Sequence, residues 1–86
     1  MTITRQTVAG KIADYLQHRV TLEQLVDWAE NALQESEFDE RSADVLSAAV
    51  ARLGLADVRA FGMTWEDCQG LLHQLGYSAR VEVVSP

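Results

Sequence analysis

Val20-Thr21-Leu22-Glu23-Gln24-Leu25 and Met63-Thr64-Trp65-Glu66-Asp67-Cys68 begin two helices with one grammar. In each, a threonine hydroxyl is placed to accept from the first free backbone N–H groups. An acid sits in the electropositive first turn, and Gln24 or Asp67 lies three residues after the cap to answer it. The apolar pairs Val20/Leu25 and Met63/Cys68 have the spacing of a hydrophobic staple. Two helices are therefore marked at their N-termini, and the rest of the chain is read outward from them.

The helix that follows Thr21 places Leu22, Leu25, Val26, Ala29, Ala32 and Leu33 on one face, with Trp28 beside it. Upstream, Val8, Ile12 and Leu16 recur at i, i+4 and i+8, and Ala9, Ala13 and Tyr15 widen the stripe. This predicts a helix over residues 4–18. Downstream the pattern weakens: Ser36 and Asp39 make a poorer capping pair beside Phe38. Val45, Leu46, Ala49, Val50 and Leu53 then predict a third helix. Gly54 followed by Leu55 has the form of a left-handed C-terminal cap. A short helix or turn covers 56–61, and the helix opened by Thr64 runs to about Leu75, closed by Gly76 and Tyr77.

The last segment changes period. Tyr77, Ala79, Val81 and Val83 alternate with Ser78, Arg80, Glu82 and Val84, which reads as a strand over 77–84. The other strand candidate is the short Met1-Thr2-Ile3-Thr4. Either the two ends pair, or the tail pairs with another molecule. The expected fold is mainly α: a single domain over 1–86, built as a small bundle of four to five short helices with a short C-terminal β-strand.

Eighty-six residues with 48% hydrophobic side chains suit one small core, with a net stability of about 5 kcal/mol. A chain of this size gains from a shared interface, so self-association is expected. Cys68 has no second cysteine with which to form a disulfide or a zinc site, the only proline is Pro86, and the apolar runs are far short of a membrane span. No charged-then-apolar leader opens the chain. These features predict a cytoplasmic protein with no membrane segment.

The net charge of −6 is unevenly placed. Residues 1–19 carry Arg5, Lys11 and Arg19 against Asp14. Residues 23–44 carry eight acids against Arg41 alone. Within that segment Glu30, Glu35, Glu37, Asp39 and Glu40 are candidate partner-binding residues. A solvated, solubilising face is the plainer account, and a docking surface for a basic protein is the sharper one. Backbone-driven nucleic-acid binding needs cations that this segment lacks.

Catalytic signatures are absent: there is no Gly-rich phosphate loop, Gly-x-Ser-x-Gly elbow or His-Glu-x-x-His pair. His18 and His73 fall near the predicted ends of the first and last helices, where an imidazole favours the helix dipole. Cys68 lies on the apolar stripe of the last helix with Leu71, Leu72 and Leu75, the place of a small buried hydrophobe rather than a nucleophile. Glu35 to Glu40 lacks the turn glycine and spaced ligands of a calcium loop, so no metal and no cofactor is expected. Residues 56–72 have the outline of a helix-turn-helix, but the second helix offers Glu66, Asp67, Gln69, His73 and Gln74 and no Lys or Arg, which makes DNA an unsuitable ligand. Gly10 and Gly70 interrupt predicted helices. They read as tolerated imperfections or as points where another backbone comes close.

The stretches from His18 to Glu30 and from Phe61 to Cys68 resemble an uncharacterised family of small acidic helical bacterial proteins with no assigned function. The resemblance spans most of the chain and implies a bacterial cytosolic setting. It carries no catalytic motif and so transfers no site residues. The function expected from the residues is a non-enzymatic protein-interaction module, homodimeric through Ala79, Arg80, Val81, Glu82 and Val83. One alternative is an antitoxin or immunity-type inhibitor using the acidic 23–44 segment; another is a helix-turn-helix regulator.

Overall fold

The structure is a computed structural model and describes residues 2–58 and 63–78. Among these, four α-helices carry the architecture: α1 (Arg5–Leu16), α2 (Leu22–Glu35), α3 (Ala43–Gly54) and α4 (Trp65–Gln74). Two short strands, β1 (Thr2–Ile3) and β2 (Glu37–Phe38), and a 3-10 turn at Glu40–Ser42 complete it. No described helix is long and apolar enough to cross a membrane.

Three of the four helices begin with a reciprocal threonine cap. The Gln24 N–H donates to Thr21 Oγ at 3.1 Å, and the Thr21 N–H donates back to Gln24 Oε1 at 2.9 Å. Thr64 and Asp67 repeat this at 3.1 and 3.0 Å. α1 uses the same device through Thr4 and Thr7, a pair the apolar pattern passed over because Thr at the third position is not the usual Glu or Gln. The staple residues follow suit: Leu25 and Cys68 are buried, while Val20 and Met63 pack against the core. Thr21→Ala and Thr64→Ala are each expected to cost about 1 kcal/mol in chemical denaturation, because each leaves first-turn donors without an acceptor. No loss for either would contradict the capping geometry.

Helix ends are less regular. α1 stops at Leu16, two residues before the expected His18, and His18 itself takes a left-handed conformation at φ 62°. The Arg19 N–H closes on Asp14 O and the His18 N–H on Tyr15 O, a Schellman closure built on histidine rather than glycine. α4 ends in the same motif with Gly76 at φ +91° and the Tyr77 N–H donating to Leu72 O, as its Gly-Tyr pair predicted. Gly54 departs from expectation. It is the last residue of α3, only Gly76 among the described glycines has positive φ, and Ala56 rather than Leu55 is the buried residue behind it.

The strand pairing also departs from expectation. β1 pairs with β2 in parallel, Thr2 against Glu37 and Ile3 against Phe38, and the Asp39 N–H continues to Ile3 O. Ser36 ends α2 in an extended conformation instead of capping a new helix, which frees Glu37 and Phe38 to pair. Asp39 alone caps, accepting from the Arg41 N–H at 3.1 Å. Tyr77 belongs to the closure of α4, so the tail strand does not begin there. The expected strand and interface residues Ala79, Arg80, Val81, Glu82 and Val83 lie outside the described residues.

The core draws on every helix: Val8 and Ile12 from α1, Leu25 and Ala29 from α2, Leu46, Val50 and Leu53 from α3, and Cys68, Leu72 and others from α4. Ile3 of β1 joins them at 1% exposure. α2 and α3 make the most extensive helix contact. Leu33 and Val45, expected on core faces, are instead 43% and 37% exposed, because their stripes are narrower than the apolar pattern suggested.

Candidate functional site

The acidic segment is displayed rather than used internally. Glu30 and Glu35 are exposed on α2, Glu37 is exposed on β2, and Glu40 opens the 3-10 turn on the surface. Asp39 is half-buried and spends one carboxylate oxygen on the Arg41 amide. The structure thus strings Glu35, Glu37, Asp39 and Glu40 along the connection from α2 to α3. Glu30 lies more than a helical turn earlier on α2. Among the described residues two ion pairs occur, Arg19–Asp14 at 3.7 Å and Arg52–Asp67 at 3.3 Å, and neither involves an acid of the 23–44 segment. Glu35 occupies the last position of α2, the electronegative end of its dipole, with no basic residue in that turn. That placement is unfavourable for the helix.

Two cations of the basic segment reach the 23–44 stretch at Trp28 and Ser42 rather than at its acids. Lys11 of α1 sits 5.7 Å from the Trp28 ring of α2, a cation–π contact that ties the first two helices together. The Arg5 Nε–H donates to the hydroxyl of buried Ser42 at 2.8 Å, and its guanidinium lies beside Gly76 at the electronegative end of α4. Sequence reasoning missed this link because Arg5 and Ser42 are 37 residues apart and belong to no common pattern.

Cys68 is fully buried, and burial, aided by the neighbouring Asp67 charge, pushes its thiol above the ordinary value. It packs as a hydrophobe. His18 and His73 are both exposed, and they lie far apart in the sequence. No group of three or more His, Cys, Asp and Glu comes together to hold a metal ion among the described residues.

Asp67 is the most connected carboxylate. It accepts from the Thr64 N–H, the Asp67 backbone N–H bonds to Thr64 Oγ, and Arg52 of α3 lies against it. The Thr64 hydrogen bonds, with a smaller contribution from Arg52, hold its pKa below the ordinary 3.8. A depressed carboxylate stabilises the fold above its unfolded-state pKa, and that contribution is lost as pH falls through the folded value. Of the three capping boxes, only this one titrates. Acid unfolding below pH 3.8 is therefore expected to be less steep in Asp67→Asn than in the parent chain when denaturation midpoints are followed downward from pH 5. Equal slopes would show that the box does not sense pH.

The outer face of α4 is sculpted. An open depression of about 940 Å³ runs along it, bordered by Glu66, Gln69, Gly70, His73, Gln74 and Tyr77. A second of about 360 Å³ lies toward α3, with Ala48 and Arg52 on its far side, and shares Glu66, Gly70 and Gln74 with the first. The lining mixes polar side chains with a larger share of apolar surface, and α4 contributes no Lys or Arg to it.

Compared with known proteins, the chain matches no family model, no curated protein and no solved structure.

Proposed function

We propose that the chain is a non-enzymatic protein-interaction module that works as a homodimer and offers its acidic 23–44 face to a basic protein. The observation that carries the reading is the display of Glu30, Glu35, Glu37 and Glu40 on the surface without an ion pair among the described residues. Like charges held together on one segment repel, and Glu35 also opposes the dipole of α2. A cationic partner relieves both penalties, and charge complementarity of this kind speeds and orients association. An antitoxin or immunity-type inhibitor, whose acids occupy the basic site of a toxin, is the specific form that this chemistry favours.

The protein encoded by the adjacent gene is the first partner to test. A variant with Glu30→Gln, Glu35→Gln, Glu37→Gln, Asp39→Asn and Glu40→Gln keeps the shape of every side chain and removes five charges. It is expected to lose both affinity for that partner and the salt dependence of binding. Undiminished affinity in this variant would sink the acidic-face reading. For the homodimer, the full chain is expected to sediment as a dimer at about 50 µM, the range of a modest interface. Deleting residues 79–86 is expected to weaken it.

Duplex DNA is not expected to bind at physiological salt. α4 exposes Glu66, Gln69, His73 and Gln74, and the described residues before it, 55–58, form turns rather than a supporting helix. A nanomolar, salt-sensitive mobility shift with a promoter fragment would overturn this.

A further inference from the structure

We propose that α4 carries the centre of a self-complementary interface, where the α4 helices of two copies cross antiparallel at Gly70. The inference rests on the homodimer reading and names the surface that such a dimer requires. Glu66, Gln69, Gly70, His73 and Gln74 fall at i, i+3, i+4, i+7 and i+8, so they form one stripe, and all five are exposed. The two depressions that flank this stripe both include Gly70, so the helix ridge dips at its midpoint. Among the described residues a Cβ placed on Gly70 would meet nothing within 4 Å, so none of them requires glycine there. Glycine weakens a helix interior, and its use here is unexplained by the single copy. It is explained by a second backbone passing close by, since a helix without a side chain at the crossing admits the nearest approach.

The residues on either side of Gly70 make the stripe complementary to itself. A two-fold axis at Gly70 sets each residue opposite the one equally far on the other side. Glu66 then faces Gln74 of the second copy, and Asp67 faces His73. Each contact occurs twice, as an isologous interface demands. Carboxylates from the N-terminal end thus meet amide and imidazole donors from the C-terminal end, and the two helix dipoles run antiparallel. Tyr77, 43% exposed at the rim of the larger depression, is carried toward Met63 of the second copy and adds an apolar contact at each end. Gly10 provides the contrast. It too has open space around it, and the same operation in α1 sets Gln6 against Asp14, but it sets Thr7 against Ala13, so only one of the two pairings recurs there.

Sedimentation of the full chain and three variants tests the proposal. Gly70→Leu fills the dip with a good helix former, so it is expected to weaken dimerisation by at least about tenfold while leaving thermal unfolding of the diluted protein unchanged or raised. Gly10→Leu is expected to leave the dimer intact. Glu66→Lys is expected to weaken the dimer, and adding Gln74→Glu to it is expected to restore association by creating an opposite-charge pair across the axis in place of the carboxylate–amide pair. A dimer untouched by Gly70→Leu, or a double variant no better than Glu66→Lys alone, would overturn the α4 crossing and leave the homodimer standing. A full chain that stays monomeric at about 50 µM would overturn both.

Discussion

Leu53→Ala is expected to destabilise the fold by about 3 kcal/mol, a large share of what a domain this size possesses. Leu53 is completely buried near the end of α3 and belongs to the cluster that joins all four helices. Truncating it removes the transfer free energy of three carbons and leaves a cavity that neighbours on several helices would have to fill together. Leu55, two residues later, is 41% exposed, and Leu55→Ala is expected to cost less than about 0.5 kcal/mol. Urea unfolding reads the difference directly: the midpoint for Leu53→Ala falls sharply with its slope unchanged, and that for Leu55→Ala barely moves. Similar midpoints for the two would mean that α3 does not present the face described.

The two leucines also show what a sequence pattern can resolve. Residues 45–53 carry a helical stripe strong enough to locate α3, and Leu46, Ala49, Val50 and Leu53 are buried as that stripe requires. Its edges were drawn too wide: Val45, and Leu33 on α2, sit at the margin where a helix turns from core to solvent. Side-chain type alone cannot tell that margin from the centre, since exposed apolar residues are common on any surface. The capped starts at Thr21 and Thr64 were legible because each involves only four consecutive residues and a chemistry that is local.

Long-range pairings were not legible for the opposite reason. Glu37 and Phe38 become a strand only because Thr2 and Ile3 come alongside, and two residues cannot display a period of two. Arg5 reaching Ser42 is likewise decided by tertiary packing. His18 shows a third kind of failure. A left-handed residue after a helix is ordinarily glycine, so a pattern search for glycine stops at Gly54, where the backbone stays helical, and passes over the histidine that performs the closure. Of the surfaces, the acidic segment was visible as charge, and the structure adds the exposure of Glu30, Glu35, Glu37 and Glu40. The α4 stripe was visible only as an unexplained Gly70.

The contact between α2 and α3 yields the second large effect. Ala29 of α2 has no exposed surface, and a Cβ placed on Gly54 of α3 would stand 3.9 Å from the Ala29 Cβ. Small residues thus face each other across this contact, with room for one further methyl on the α3 side. Ala29→Leu introduces three carbons where Gly54 leaves room for about one methyl, and the helices must separate or the side chain must leave its preferred rotamer. It is expected to cost about 2 kcal/mol, or more if the separation also exposes Leu53. Gly54→Ala tests the same contact from the other side with the opposite sign. Its new methyl meets Ala29 and Glu30 at ordinary distances of 3.9 Å, and alanine restricts the unfolded chain more than glycine does. That variant is expected to gain about 0.5 kcal/mol. If Ala29→Leu is tolerated, α2 and α3 do not meet at Ala29; if Gly54→Ala destabilises, they meet there more tightly than 3.9 Å. Thermal melts of the two single variants read both outcomes, because a crossing elsewhere would leave Ala29→Leu close to the parent chain while Gly54→Ala kept its gain.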